Sequence, residues 1–335
     1  MERKLASVRK IEEVKPIVGA DKICAYRVGG WWVVDAVNKY NVGDLVTYYE
    51  IDSFLPIRPQ FEFLRKTSYK KLSNGDEGFR LKTIKLRGQI SQGLLTAIPE
   101  GIFNPKEGDD LTEALDIVKY EPPIPAQLAG EVKGLFPSFI PKTDEIRVQI
   151  FEKDMGFSPV NEKVYISEKL DGSSATFYYY NGEFGVCSRN LELKESDKNA
   201  LWIVAKRYDL PNKLKFIGKN LAIQGEILGP SIQGNPYKLK DVDVYFFTAY
   251  DIDNACRLSF EGLETLTSHL GVKMVPVLEK SFVLPTENLV DNMLAMADGK
   301  SKLHGETDRE GIVVRGLDKT FSFKSISNAF LLKHD

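Results

Sequence analysis

The hydrophobic positions of about the first 120 residues come in short runs of β-forming residues separated by polar turns. The runs span residues 5–8, 23–28, 31–37, 45–51, 79–86 and 93–98. Each run has the length and composition of a strand, and helical periodicity is scarce among them. The pattern predicts a small Greek-key barrel of the OB type, although an SH3-like barrel would leave much the same trace.

A proline- and glycine-rich stretch follows this region. It begins at Glu121-Pro122-Pro123-Ile124-Pro125 and continues through Gly130, Gly134, Pro137 and Pro141. Such a composition disfavours a continuous helix or strand and is typical of an interdomain connection. We therefore expect an OB-like domain over residues 1–122, a linker over 123–141 and a second domain over 142–335.

The second domain mixes strand and helix patterns. Strand-like runs cover residues 164–168, 176–180, 184–188, 221–228, 244–252, 311–315 and 320–324. Asn181-Gly182 predicts a tight hairpin turn. Ser196 can cap a helix with an apolar stripe over residues 201–208, and residues 289–297 predict another that ends near Gly299. Together these features predict an α+β fold in which antiparallel sheets are flanked by helices.

Length and composition narrow the class of protein. The chain has 335 residues, 43% of them hydrophobic and 27% charged, which suits a globular protein of two domains. No run approaches the roughly 18 apolar residues of a membrane-spanning helix, and the first residues lack the apolar core of a secretory signal. We expect an intracellular protein without a membrane partner. The three cysteines lack metal-ligand spacing, so we expect neither disulfides nor a zinc site.

One segment carries candidate chemistry. In Ile166-Ser167-Glu168-Lys169-Leu170-Asp171-Gly172, a lysine follows a predicted strand and lies two residues before an Asp-Gly turn. The strand end holds the amine rigidly, the turn brings a carboxylate close to it, and Gly172 allows a ligand to approach the backbone. A surface lysine beside a hairpin turn would give the same pattern, so companion residues must decide.

Those companions give the second domain a resemblance to the covalent nucleotidyltransferases, the superfamily of RNA ligases, DNA ligases and mRNA capping enzymes. Its first motif, K-x-D-G, matches Lys169, Asp171 and Gly172. Its later motifs match, in order, an arginine after a hairpin, a glutamate on a strand, an aromatic residue before Asp, the sequence E-G-hydrophobic-V and a lysine on the last strand: Arg189, Glu226, Tyr250, Glu310 with Val313, and Lys324. The resemblance implies a nucleotidyltransferase domain of the ATP-grasp-like ligase type.

The resemblance also implies catalytic roles. Lys169 would be the nucleophile that takes AMP from ATP, and since an unperturbed lysine has a pKa of about 10.4, the site must favour its neutral form. The carboxylates of Asp171, Glu226 and Glu310 would hold Mg²⁺ or Mn²⁺, largely through water. Lys324 would contact the α-phosphate and stabilise the transition state.

The remaining matched residues would bind the nucleotide. Arg189 would contact the ribose or the RNA, while Tyr250 and Val313 would enclose the adenine. Glu168 and Gly172 flank the nucleophile in the same nucleotide-binding segment.

Two positions leave alternatives open. The segment Lys142-Thr143-Asp144-Glu145-Ile146-Arg147 resembles a stretch of RNA ligases whose arginine reaches the nucleotide phosphates. Arg147 could equally pair with Asp144 or Glu145 on a solvated helix start. Many RNA ligases also carry K-x-K in the last motif, where this chain has Ile326. That second cationic role is either absent or supplied by Lys319.

Domain order points to RNA ligases among these relatives. Capping enzymes and most DNA ligases place the OB domain second, whereas here the barrel-like domain comes first, and residues 39–46, 50–56 and 85–94 resemble the OB-first RNA ligases, sometimes called the fifth family. The resemblance implies a monomeric ATP-dependent RNA ligase that joins 3′-hydroxyl and 5′-phosphate ends, with RNA repair by nick sealing as its expected role. The alternatives are a DNA ligase, a capping-type guanylyltransferase and a catalytically idle RNA-binding module.

Charge bears on the RNA partner only locally, since the net charge is -2. Residues 58–87 carry nine Lys or Arg against three acidic residues, interleaved with Phe61, Phe63, Tyr69 and Phe79. This combination suits phosphate attraction and base stacking. The alternative is an exposed charged loop whose aromatic residues belong to the barrel core.

Overall fold

A computed structural model of the protein describes residues 3–72, 75–120, 131–154, 162–317 and 321–334. Contacts divide the chain into two compact units. The first consists of Met1–Ile124, Gln149–Phe157 and Leu331–Asp335, and the second of Pro125–Val148 and Ser158–Phe330. Residues 121–130 of the predicted linker region lie outside the described residues. No described helix is long and apolar enough to cross a membrane.

Short strands build the first unit. They are β1 (Ala6–Lys10), β2 (Glu13–Pro16), β3 (Ile23–Val28), β4 (Trp31–Ala36), β5 (Leu45–Tyr49), β6 (Ser53–Pro56), β7 (Tyr69–Lys71), β8 (Glu77–Arg80), β9 (Thr83–Leu86), β10 (Gln89–Gln92), β11 (Leu94–Thr96) and β12 (Val118–Lys119). A 3₁₀ helix (Pro59–Leu64) and helix α1 (Arg65–Ser68) separate β6 from β7. The strands pair in the orders β1-β5-β11, β2-β3-β4, β10-β9 and β12-β6-β8-β7.

The core of the first unit explains two aromatic residues of the basic segment. Phe61 and Phe79 are fully buried and pack with Val8, Tyr49 and Leu55. They therefore belong to the barrel core, as the second of the two interpretations of this segment predicted. Phe63, by contrast, is 64% exposed.

The second unit alternates strands with helices, and helices α2 (Val148–Asp154) and α7 (Asn328–His334) each contain residues assigned to both units. Its other elements are β13 (Val132–Leu135), β14 (Lys163–Lys169), β15 (Ser173–Tyr180), β16 (Glu183–Cys187), β17 (Leu191–Leu193), α3 (Ala200–Arg207), α4 (Leu210–Ile217), β18 (Leu221–Leu228), β19 (Asp243–Asp251), β20 (Cys256–Arg257), α5 (Phe260–Leu270), β21 (Lys273–Met274), β22 (Val277–Val283), α6 (Leu289–Ala297), β23 (Gly311–Gly316) and β24 (Ser322–Ile326).

These strands form two sheets. The large sheet has the order β13-β17-β16-β15-β18-β19-β20, with β21 beside β19, and the small sheet has the order β22-β14-β23-β24. Successive side chains of a strand point to opposite faces, so each sheet has two distinct faces. One face of the large sheet packs Phe177, Ile223 and Phe246 against α3, α4 and α5. Glu226 lies on the other face, because it is an odd number of positions from Ile223 along β18.

The predicted α+β fold, with an OB-type domain first and antiparallel sheets flanked by helices afterwards, is confirmed. The hairpin at Asn181-Gly182 is also confirmed, since both residues have positive φ, 50° and 89°, between the paired strands β15 and β16. Helix α6 has the predicted bounds.

Two local predictions are wrong. The run 79–86 forms two strands, because Leu81 exchanges backbone bonds with residues 52 and 53 while Thr83 begins a new pairing with Gln92. Helix α3 is capped by Asn199, whose side chain accepts a bond from the Leu201 N–H. Ser196 instead accepts a bond from the Lys198 N–H and closes its own turn.

Candidate active site

Lys169 lies at the end of β14, opposite Gly311 of β23. Its Nζ is 2.7 Å from both carboxylate oxygens of Glu310, and the two side chains are 25% and 15% exposed. Burial alone lowers the pKa of Lys169, but the carboxylates of Glu310 and Glu226 outweigh this effect and raise it above its ordinary value. Without a ligand, the protein holds Lys169 as an ammonium ion.

Two further carboxylates crowd the same site. Burial, together with repulsion from Glu310, raises the pKa of Asp171 to about 6. Burial and repulsion from Glu310 and Asp171 raise the pKa of Glu226 to about 8, although Lys169 opposes this shift. The three carboxylates thus carry more potential negative charge than Lys169 neutralises, and a divalent cation would compensate for it.

The excess of carboxylate charge around Lys169 suits a hydrated divalent cation. Within the described ranges, no group of three or more His, Cys, Asp and Glu side chains is close enough to hold a metal ion directly. Small hard cations such as Mg²⁺ keep several waters when they bind to carboxylates. The residues present therefore fit the predicted divalent ion in its hydrated form.

Glycines in the Asp-Gly and Glu-Gly pairs allow the strands to approach closely. A Cβ on Gly172 would lie 2.5 Å from the Ile227 carbonyl oxygen and 2.9 Å from Cγ of Glu226. The Gly172 N–H also favours the ionised form of Glu226, which partly offsets the rise in its pKa. A Cβ on Gly311 would lie 2.2 Å from the Ser325 carbonyl oxygen. Any side chain at these positions would push the carboxylates out of place.

Lys324 lies beside this acidic group on β24, opposite Val313. Its backbone N–H donates to the Ile146 carbonyl at 2.7 Å, and Arg147, which is 8% exposed, forms a β-bridge with it. Burial and the positive charges of Lys169 and Arg147 lower the pKa of Lys324 to about 7. The cationic side of the site thus carries an excess of positive charge, which suits nucleotide phosphates.

Arg189 is linked to the site by Asp144, which belongs to the same segment as Arg147. One Nη atom of Arg189 lies 3.0 Å from both carboxylate oxygens of Asp144. Both side chains are about half exposed, at 52% and 53%. Arg189 is therefore accessible to a ligand or to RNA, while Asp144 fixes its orientation.

Two aromatic residues are candidates for the adenine platform. Tyr250 is half buried and packs against the cluster of Ile140, Tyr178, Cys187 and Ala222. Phe247 packs against the cluster that contains Leu170, the neighbour of Lys169, and the Arg315 guanidinium lies 5.4 Å from its ring centre. Sequence reasoning singled out Tyr250 alone, although Phe247 belongs to the same Phe-Phe-Thr-Ala-Tyr-Asp segment.

Glu168 faces away from Lys169. Strand alternation places the two side chains on opposite faces of the small sheet. The Glu168 carboxylate accepts a bond from the Lys302 N–H at 2.8 Å, and the residue is 1% exposed. Burial raises its pKa. It contacts the loop that leads into Glu310, whereas the other predicted acidic residues of the site lie together around Lys169.

Three supporting residues were missed by sequence reasoning. The Tyr237 hydroxyl accepts a bond from the Asp171 N–H at 2.7 Å and so fixes the Asp-Gly turn. Glu145 and Arg315 form a buried ion pair at 3.1 Å, with exposures of 9% and 8%. Glu145 belongs to the segment that resembles RNA ligases, but nothing in the sequence pairs it with an arginine 170 residues away.

The position of the missing second lysine is apolar. Ile326 is 5% exposed and lies opposite Gly311. Lys319, the other candidate for that role, lies outside the described residues.

Comparison with known proteins adds independent evidence. A family profile for an OB-fold domain matches residues 5–98, and the RNA ligase family profile matches residues 162–328. None of the curated proteins matches the chain.

Solved structures of Naegleria gruberi RNA ligase match along almost the whole chain. The structure with PPi is 43% identical, covers 99% of each chain and has a TM-score of 0.89. A mutant with AMP and Mn is 43% identical over 99% of each chain, with a TM-score of 0.91. A mutant with ATP and Mn is 42% identical over 99% of each chain, with a TM-score of 0.90.

Proposed function

Since the chain belongs to the RNA ligase family and is an ATP-dependent RNA ligase, we propose that Lys169 is the residue it adenylates. The prediction of an RNA ligase that uses ATP and a divalent metal ion is confirmed by these matches. The assignment to Lys169 rests on one observation: its amine lies among three carboxylates and beside the cationic Lys324.

In the first step, the Lys169 Nζ attacks the α-phosphorus of ATP. A P–N bond forms, the bond from the α-phosphorus to the pyrophosphate oxygen breaks, and pyrophosphate leaves. The attacking amine must be neutral, so Lys169 must first lose a proton. Glu310 accepts a hydrogen bond from this amine and is the nearest group to receive the proton.

Asp171, Glu226 and Glu310 are the residues that would hold a hydrated divalent cation. A cation bound there would screen the carboxylates and thereby lower the pKa of Lys169 toward the neutral amine. The same carboxylates orient the amine, since Glu310 holds it with both oxygens.

The cationic residues act on the phosphates. Lys324 and Arg147 would lie against the α-phosphate and its neighbours, where negative charge develops as pyrophosphate leaves. Phosphoryl transfer depends mainly on positioning and on such electrostatic stabilisation. Val313, with Tyr250 or Phe247, would enclose the adenine, and Arg189 would contact the ribose or the RNA.

Two further steps complete the sealing reaction. An oxygen of the RNA 5′-phosphate attacks the α-phosphorus, the P–N bond breaks, and the Lys169 amine leaves with AMP now joined to RNA. The 3′-hydroxyl then attacks the 5′-phosphorus, loses its proton and displaces AMP. We propose nick sealing in RNA repair as the physiological use, by a monomer that acts inside the cell.

Labelling with α-labelled ATP tests the assignment. With Mg²⁺ or Mn²⁺, the wild-type protein should retain acid-labile, alkali-resistant label after denaturation. Lys169→Ala and the charge-preserving Lys169→Arg should retain none, because neither offers a nucleophilic amine. Label on either variant would overturn the assignment.

Nicked duplexes test whether the enzyme requires RNA rather than DNA at the 3′-hydroxyl end. The 2′-hydroxyl is the group by which a protein distinguishes RNA from DNA. We expect fast sealing when the 3′-hydroxyl end is RNA. Equal rates on an all-DNA nick would contradict the expected preference.

A further inference from the structure

The nine cations of residues 58–87 are not equivalent in the structure. Four of them are ion-paired: Arg58 with Asp116, Arg65 with Glu62, Lys71 with Glu77, and Arg80 with Asp52. In each pair the neighbouring carboxylate largely compensates the positive charge, so these four cations contribute little to attraction of a polyanion. The pairing therefore narrows the search for RNA-binding cations to a smaller part of the segment.

The β9–β10 hairpin carries cations without acidic neighbours in sequence. From residue 78 to residue 99 the chain has no Asp or Glu, yet it contains Arg80, Lys82, Lys85 and Arg87. Lys85 and Arg87 are exposed. Across the described ranges, neither of these two has an acidic partner. They are positive charges that water and counterions alone compensate.

The hairpin projects these charges outward. Only its base is held, where Thr83 and Ser91 are buried and the Ser91 hydroxyl accepts a bond from the Val34 N–H. Toward the tip, Ile84 and Leu86 are 47% and 37% exposed. Lys85, between them on the opposite face of the strand, is exposed as well, so a ligand as large as a nucleic acid can reach both sides of the tip.

The turn of this hairpin is occupied by an unusual residue. Leu86 pairs with Gln89, so Arg87-Gly88 is a two-residue loop, and both residues have positive φ, 49° and 87°. This is the type I′ conformation, in which Asn, Asp or Gly is preferred at the first position. Arginine there is conformationally strained, and strained residues concentrate at functional sites.

We propose that the β9–β10 hairpin binds RNA phosphates through Lys85 and Arg87. The proposal rests on RNA being the substrate, as the ligase activity requires. Exposed, uncompensated cations at the tip of a projecting hairpin suit the sugar-phosphate backbone, because phosphate contacts release counterions and need no sequence-specific geometry. The arginine at the turn supplies a positive charge at the expense of local stability.

The test variant combines Lys85→Gln with Arg87→Asn, and the control combines Arg65→Gln with Lys71→Gln. Each removes two positive charges from the same segment, but only the control removes ion-paired ones. Binding is measured by fluorescence anisotropy with a nicked RNA duplex, without ATP, over a series of salt concentrations. The rate of lysyl-AMP formation, which needs no RNA, is measured separately to report on folding and on the active site.

The test variant should bind the nicked RNA about 30-fold more weakly at 0.15 M salt, since each phosphate contact contributes a salt slope of about 0.9 and hence about fivefold. Its salt slope should fall by about 1.8. Arg87→Asn alone should raise the melting temperature while it weakens binding, because asparagine suits the turn. The control should bind nearly as well as the wild type.

Unchanged affinity and salt slope in the test variant would overturn the proposal. An equal loss in the control would also overturn it, because attraction would then come from the general field of the segment. If the wild-type protein itself formed no lysyl-AMP, that result would instead count against the assignment of Lys169. The two failures are therefore distinguishable.

Discussion

Two partly buried lysines lie in one site but in opposite electrostatic surroundings. Lys169 lies among Glu310, Glu226 and Asp171, and its pKa is raised despite burial. Lys324 lies beside Lys169 and Arg147, and its pKa falls to about 7. Burial alone therefore does not set the charge of a lysine in this site, because the neighbouring charges decide it.

The surroundings of Lys169 and of Lys324 also differ in the kind of ligand that would compensate their charge. The side around Lys169 has excess carboxylates, which a hydrated divalent cation would compensate. The side around Lys324 has excess positive charge, which nucleotide phosphates would compensate. ATP together with a divalent metal ion supplies both, so binding of the pair should relieve both imbalances at once.

The largest effect is expected on the cationic side. Lys324→Met should lower the rate of lysyl-AMP formation by about 10²–10³, as removal of one transition-state donor typically does. The effect should appear mainly in the maximal rate, and Lys324→Arg should restore part of it. Single-turnover labelling over a range of ATP concentrations measures this. A change confined to the KM for ATP would show that Lys324 only binds the nucleotide.

A smaller effect is expected on the carboxylate side. Because the pKa of Glu226 is about 8 and that of Asp171 about 6, protons compete with the metal ion at neutral pH. The metal concentration for half-maximal adenylation should therefore fall as the pH rises from about 6 to 8. In Glu226→Gln the metal concentration for half-maximal adenylation should be about tenfold higher, by analogy with lost metal-supporting contacts. Of its pH dependence, only the part near the pKa of Asp171 should remain. Metal titrations at several pH values test this, and an unchanged profile in Glu226→Gln would contradict it.

The smallest effect concerns stability of the ligand-free protein. The pKa of Glu226 is raised from 4.5 to about 8, so between these pH values the folded state binds more protons than the unfolded state. Stability therefore falls as the pH rises through this range. The pKa of Lys324 is lowered from 10.5 to about 7, so between these pH values the folded state binds fewer protons than the unfolded state. Stability therefore rises with pH in this range.

Urea unfolding across these pH ranges measures both contributions. Glu226→Gln should flatten the fall in the free energy of unfolding below pH 8, and Lys324→Met should flatten the rise above pH 7. If each variant keeps the wild-type slope, the two groups do not have the opposite shifts described here.

The order of the motifs predicted that residues far apart in the chain lie together. Lys169 and Glu310 are 141 residues apart, yet their order among the other motifs indicated one site, and the structure places them 2.7 Å apart. The strands β18 and β23 were predicted to within a residue of their ends because they are apolar runs bounded by turns.

Features that depend on pairing were not predictable. The position of Phe247 depends on a bulge, since Gln224 pairs with Thr248 while the next residue, Gly225, pairs with Phe246. A bulge re-aims side chains without a distinct sequence signal. The orientation of Glu168 depends on which face of β14 turns toward the nucleotide, and alternation alone does not say which.

Mapping of the adenylate identifies the nucleophile directly. Wild-type protein is incubated with ATP and a divalent metal ion, denatured and digested, and tandem mass spectrometry locates the modified residue. We expect a single adenylate on Lys169, absent when pyrophosphate is added in excess to reverse the step. An adenylate on another lysine, or RNA sealing with no adenylated protein at any stage, would contradict it.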